Sequence, residues 1–376
     1  MIKINIEEDY IDVKINTIFN ELAKSIVKKL KGVQIDFYDE EDTLVAINEV
    51  NIYNFLTSKN FSKYDYKIYG KRETISNEIV RDWLTLQCGG AISSVLKPRD
   101  NSNIQYKEFY NKYRSVSEEF FSYLEEFNEQ LKVNPNKSHK ISIENKREFL
   151  EKYYPSYYCM VDAFTYKLLK DVDRDIILSK MNVNVCPYCN MNYTLNYNKN
   201  NKIKASADLD HFYVKSLYPL YALCLYNFIP SCSICNSRLK VDSNMTIDTY
   251  IYPHENAFSD QGVFTITNLI EYLIGACDYM EIKLSNLSED DRIKKSSELF
   301  QLEHRYQYFE TLAEELLNKV VVYNDFYQKE LNTLLQEFNH MDIRTLIFGK
   351  KLTEEEILNE SLGKFRMDLL KDFGVY

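Results

Sequence analysis

Apolar residues recur at helical spacing from the start of the chain. In "INTIFNELAKSIVKKLKG" the positions Ile18, Phe19, Leu22, Ile26 and Leu30 share one face, which predicts a helix ending at Gly32. "VQIDFY" and "TLVAINEV" read as short strands. Helical patterns follow near 74–97, 105–131 and 160–180, and "KVNPNKSHK" (132–140) reads as a loop. The texture changes at 181–245. "NMNYTLNYNKNNKIKASADLDHF" holds two β-rich runs around a turn-like "NKNN", and "SICNSRLK" after "NFIPSC" can start a helix. The order there is strand, strand, helix. Beyond Tyr252 the pattern is helical again, with a long amphipathic stretch from "SSELFQLEHRYQYF" to "LNTLLQEF". The expectation is an α+β protein, mostly helical, in three regions: 1–180, 181–245 and 246–376.

Composition sharpens this picture. A chain of 376 residues has room for two or three domains. Hydrophobic residues make up 45% and charged ones 27%, the balance of a globular chain that stays in water. Nine glycines and seven prolines are few for this length, which favours helices over turn-rich β architecture. The opening "MIKINIEEDYIDVKINTIF" carries acidic residues where a signal peptide needs an apolar core. No run of about 18 apolar residues occurs, so no membrane span is expected. A cytoplasmic location follows as an expectation, and there paired cysteines point to metal rather than to disulfides.

Charge points two ways. A formal net charge of −10 argues against nucleic acid as a partner, because phosphates attract Lys and Arg. Residues 181–242, however, carry six basic and three acidic side chains, a mildly basic module inside an acidic body.

That module holds two C-x-x-C pairs. Cys186 and Cys189 lie in "VCPYCN", and Cys232 and Cys235 lie in "SCSICN", 43 residues after Cys189. Each turn sets two thiolates on one side of a tight loop, and two such turns complete a tetrahedral zinc site. The long gap must hold structure of its own, and the expected hairpin fills it. The remaining cysteines, Cys88, Cys159, Cys224 and Cys277, are unpaired and read as small core residues.

Between the pairs lies "SADLDHFYVKS", with Asp208, Asp210 and His211. His211 is the one histidine of five that falls between the cysteine pairs. Asn227 stands upstream of the second pair and Asn236 directly follows Cys235. This interleaving of Asp-His, Asn and a final Asn with two C-x-x-C pairs resembles the HNH endonucleases, whose scaffold is a ββα-metal fold. The resemblance spans Cys186 to Lys240. Val214 stands where the family's Asp-His-x-x-Pro-x-Ser has proline.

The resemblance implies metal-dependent hydrolysis of phosphodiester bonds, with DNA favoured. His211 would be the general base, a role a neutral imidazole can fill near pH 7. Asp210 and the side-chain oxygen of Asn236 would hold a catalytic Mg²⁺ or Mn²⁺, with zinc structural. Asn227 would brace the loop that orients His211. Cys235 would pin the helix start so that Asn236 faces His211 and Asp210. Lys215, Arg238 and Lys240 are candidate phosphate contacts, as are Lys199, Lys202 and Lys204 near the hairpin tip; the alternative for each is a solvated face. His254 in "YPHENAF", and His139, His304 and His340, read as structural.

The helical flanks, through "YPHENAF" and "LFQLEHRYQYFETLAEELL", resemble HNH nuclease subunits of bacterial anti-phage systems of the Septu type. The implied partner is an ABC/SMC-like ATPase, which would supply the grip that an acidic chain lacks. Two alternatives stay open: an HNH enzyme cleaving RNA such as tRNA, and a zinc-stabilised binding or adaptor subunit without turnover.

Overall fold

The computed structural model describes residues 1–4, 11–70, 74–80, 151–200, 202–334 and 343–376, together with 82, 111–113, 118, 120 and 122. The expected helix at 105–131 and loop at 132–140, and His139, His340 and Cys88, lie outside or largely outside them. The chain forms two compact units: one of residues 11–173 and 213–228, the other of 1–10, 174–212 and 229–376. The division thus runs through the expected 181–245 region.

In the first of these units, Asp12 caps α1 (Val13–Leu30) by accepting from the amides of Lys14 and Ile15 at 2.9 and 3.0 Å. The helix buries the expected stripe, including Ile18, Phe19, Leu22 and Ile26. A four-stranded sheet of β1 (Ile35–Tyr38), β2 (Leu44–Val45), β3 (Asp65–Tyr69) and β4 (Thr74–Ser76) has the order β2-β1-β3-β4. β2 is shorter than "TLVAINEV" suggests, because Asn48 caps the next helix, α2 (Glu49–Thr57), through the amide of Asn51. The helix expected from 74 begins only after β4, at residue 77. The pattern at 160–180 resolves into two helices, α3 (Pro155–Ala163) and α4 (Asp171–Met181), of which α4 belongs to the other unit from residue 174 on.

Phe55 is the hub of this core. Its ring lies 5.3 Å from Phe37, 5.0 Å from Tyr64 and 6.0 Å from Phe164. The segment 213–228 packs into the same core through Tyr221. That ring lies 5.2 Å from Phe61, and its hydroxyl donates to the Tyr64 carbonyl at 3.1 Å.

The other unit carries the cysteine pairs. β5 (Asn196–Lys199) and β6 (Lys202–Ala205) form the expected hairpin, with Lys199 opposite Lys202 and Asn200 in the left-handed conformation that asparagine tolerates. The second β-rich run then divides. β6 stops at Ala205, and β7 (Asp208–His211) pairs instead with β8 (Phe228–Ser231). After β8 the chain enters a π-helix, Ile234–Lys240.

The region beyond Tyr252 is not uniformly helical. β9 (Gly262–Ile266) and β10 (Ile282–Asn286) form an antiparallel pair around α5 (Leu269–Leu273). The long amphipathic stretch read from the sequence divides among α6 (Asp291–Leu299), α7 (Leu302–Tyr306), α8 (Glu310–Val322) and α9 (Asp325–Leu334). Gln301, in the left-handed region, ends the first segment, and Asn324 caps the last through the amide of Tyr327. α10 (Ile343–Phe348), α11 (Glu354–Ile357) and α12 (Gly363–Asp372) follow. The rings of Phe264, Tyr306 and Phe365 pack together at the centre, and Asp368 of the buried Lys364–Asp368 pair in α12 accepts from the Phe264 amide at 3.0 Å. Among the described residues, no helix is long and apolar enough to cross a membrane.

Phe55→Ala leaves a cavity among the rings of Phe37, Tyr64, Phe164 and Tyr221. It should lower unfolding free energy by about 3–5 kcal/mol in chemical denaturation. A loss well below that would mean the segment 213–228 repacks over the gap.

Candidate metal centre and the Asp-His strand

Both knuckles are built by backbone turns. In the first, the Cys186 amide donates to the Asn192 carbonyl at 2.9 Å and the Asn190 amide to the Cys186 carbonyl at 2.8 Å. Asn190 takes the left-handed conformation that closes the turn. Its side chain anchors the knuckle to the C-terminal helices, donating to the carbonyls of Ile357 and Glu360 and accepting from the Lys364 amide. In the second, the Asn236 amide donates to the Cys232 carbonyl at 3.0 Å.

The four sulfurs of Cys186, Cys189, Cys232 and Cys235 are buried and all lie within 4.8 Å of one another. No disulfide links them. A tetrahedral zinc–thiolate site has sulfurs about 3.8 Å apart, so the cluster can hold a metal ion such as zinc. Burial pushes the Cys186 thiol well up. Cys232 is held low by hydrogen bonds from Cys186, Cys189 and Cys235, and Cys189 sits at about 7 with Cys186 as its chief donor. Without a cation the group shares protons; four simultaneous thiolates need a metal among them.

Donors from elsewhere face the sulfurs. Asn192 Nδ2 lies 3.3 Å from Cys232 Sγ and Arg305 Nη1 3.5 Å from Cys235 Sγ. Burial disfavours the charged guanidinium, but the sulfurs of Cys235 and Cys189 outweigh it and hold Arg305 protonated. The next residue, Tyr306, donates to the Cys189 carbonyl at 2.7 Å. α7 is therefore a wall of the metal centre. Arg305, Asn192 and Tyr188 were not singled out by motif reasoning. Arg305 lies 70 positions from Cys235 and carries no local signal.

Asp210 and His211 lie at the end of β7, both buried. Tyr188, inside the first C-x-x-C, donates to Asp210 Oδ2 at 2.6 Å. Burial, with the Asp210 charge beside it, pushes that phenol well up, so it is a donor at neutral pH. Lys240 Nζ lies 3.0 Å from Asp210 Oδ1 and 2.5 Å from the His211 carbonyl. Lys240 was expected among phosphate contacts. It is 1% exposed and turned inward. The π-helix is the reason: its bonds run from i to i+5, as in Val241 amide to Asn236 carbonyl at 2.9 Å, and this brings Lys240 round to the buried face of Cys235.

Asn236 was expected to face Asp210 and His211. Its amide nitrogen instead meets Asp208 Oδ2 at 3.2 Å, so Asp208 joins the oxygen-bearing groups of the site. Asn227 is fully buried. It accepts from the Tyr213 amide at 2.7 Å and donates to the carbonyls of Tyr213 and Tyr221, which closes the loop that starts two residues after His211.

The other candidates lie apart from this network. Arg238 and Lys199 are exposed. Lys215 is exposed with its amine 5.0 Å from the centre of the Tyr166 ring. Lys204 pairs with Asp175 at 2.6 Å. His254 stacks edge-on to Tyr252, and His304 to Tyr308. Cys224 is buried, as expected of a core residue, while Cys159 and Cys277 are half-buried.

No protein-family model matches the sequence, and neither a curated protein nor a solved structure is significantly similar to it.

Purified protein should contain about one zinc per chain, read by elemental analysis. Arg305→Gln should weaken zinc binding by about 10- to 100-fold in chelator competition, as outer donors to a metal centre typically do. Binding takes a proton from Cys186, whose thiol is raised, so affinity must fall as pH falls. The competition curve should move to weaker binding from about pH 8 to about pH 6. Equal affinity at both would mean the thiols are already deprotonated without metal.

Proposed function

We propose that this chain is a metal-dependent endonuclease of the HNH kind, hydrolysing phosphodiester bonds of nucleic acid, with DNA as the preferred substrate. The observation that carries the reading is the join of two features. Asp210-His211 ends one strand, and Asn236 opens the helix that follows a cysteine knuckle, with one four-cysteine centre pinning both approaches.

His211 is the general base in this reading, taking a proton from water as the water attacks phosphorus. In this reading Asp210 and Asn236, with Asp208 beside Asn236, carry oxygens of the kind that suit Mg²⁺ or Mn²⁺, and both Asp210 oxygens also accept hydrogen bonds from Tyr188 and Lys240. When bound, such an ion supplies charge relief at the phosphate and the leaving oxygen. The Asn236 bond to Asp208 uses only the amide nitrogen, which leaves the amide oxygen as the ligand atom. Asn227 fixes the backbone that leaves His211 by bonding both polar groups of Tyr213. Exposed Arg238 and Lys215 are the candidate phosphate contacts; Lys240 leaves that group.

The net charge of −10 sets the chain's weak grip on a polyanion. A bacterial anti-phage role beside an ABC/SMC-like ATPase fits that balance, because the partner would bring nucleic acid to an acidic nuclease.

His211→Ala should lower hydrolysis by about 10²- to 10⁴-fold while zinc content and nucleic-acid binding stay at wild-type levels. The assay runs plasmid, single-stranded DNA and total RNA with Mg²⁺ and with Mn²⁺, alone and with the neighbouring gene product. Faster cleavage of RNA than DNA would move the chain to the RNA-cleaving class. Binding without cleavage under every condition would make it an adaptor. Full cleavage by His211→Ala would remove His211 from the chemistry. Arg238→Ala should reduce the salt slope of binding by about one.

A further inference from the structure

We propose that Tyr188 and Lys240 are positioning residues, which grip Asp210 from the two cysteine knuckles and so carry the geometry of the metal centre to His211. The inference rests on the nuclease reading for its kinetic consequences, but not for its structural ones. Asp210 receives one donor from each knuckle. The Tyr188 hydroxyl comes from between Cys186 and Cys189, and the Lys240 amine from the helix that starts at the second pair. A metal that draws the four sulfurs together therefore also sets the separation of these two donors. Asp210 can sit in one place between them.

The grip reaches the next residue directly. Lys240 also bonds the His211 carbonyl, so Asp210 and the backbone of His211 are held by one amine.

Burial argues against the alternative that Lys240 meets phosphate. An amine that contacts a polyanion must reach water in the free protein, and Lys240 is 1% exposed and bonded to a 4% exposed carboxylate. Arg238, two positions earlier, is exposed on the same helix. The backbone is arranged to turn Lys240 inward. A π-helix is an uncommon winding, concentrated at functional sites. It ends at Val241, a β-branched residue with φ 47° and ψ −112°. A β-branched side chain with positive φ is a strained arrangement, maintained only when the surroundings over-determine it. Here the inward grip of Lys240, one residue earlier, supplies the constraint.

The test uses the full chain, with Tyr188→Phe and Lys240→Met compared with wild type and with zinc-stripped protein. Tyr188→Phe removes one hydroxyl and keeps the ring that stacks on Phe300 at 4.5 Å. Hydrogen exchange of residues 208–212 should quicken in both variants and on zinc removal, while zinc stoichiometry in the variants stays at wild type. In the cleavage assay kcat should fall by about 10- to 100-fold, with KM and the salt slope of binding unchanged. A raised KM with a salt slope flattened by about one and kcat retained would make Lys240 a phosphate contact and overturn the proposal. Unaltered exchange and kcat in Tyr188→Phe would also overturn it, including where Lys240→Met fails to fold. If wild type cleaves nothing, the nuclease reading falls, and exchange at 208–212 still decides whether the grip exists.

Discussion

Four sulfur atoms that repel one another once ionised must share a space less than 5 Å across. The rest of the cysteine-bearing unit is arranged around that constraint. A divalent ion would resolve it and leave the centre with a net negative charge. Arg305 and Asn192 answer that charge with N–H groups aimed at Cys235 and Cys232. Because Arg305 belongs to α7, and because Asn190 of the first knuckle is tied to the residues around α11 and α12, the metal centre also organises helices far away in sequence. Metal and fold are then linked: whatever holds the sulfurs together also holds the C-terminal helices in register.

Much of this architecture was legible from short-range signals. The amphipathic period of α1, the "NKNN" turn and the C-x-x-C pairs each act over a few residues, and each appears where local physics puts it. What could not be read depends on tertiary context. Nothing in the run around Gln301 announces a left-handed residue, so the long amphipathic stretch does not show where its helices divide. The two strands Gly262–Ile266 and Ile282–Asn286 stabilise each other through pairing 16 or more residues apart, beyond the reach of a periodicity window. Lys240, a candidate phosphate contact in the sequence, is buried for a third reason: the π winding rotates it onto the face of Cys235. Arg305 reaches the sulfurs only through folding.

A buried lysine facing a buried aspartate is costly to form, because two charges leave water and their attraction does little more than offset the loss. A hydrophobic pair of similar volume would serve stability as well. The pair Lys240–Asp210 is therefore better understood through what it specifies than through what it stabilises. It admits one geometry, shared with the Tyr188 hydroxyl, and that geometry includes the backbone of His211. On the other side of His211 the same economy recurs. Asn227 spends its whole amide on Tyr213 and Tyr221, with both ends of the side chain bonded and none exposed. Residues 210 and 213 are thus each held by a buried polar side chain, with His211 and the buried Phe212 between them. On the proposed reading of His211 as a general base, this fixing of the chain on both sides matters, since small errors in the position of a general base cost large factors in rate.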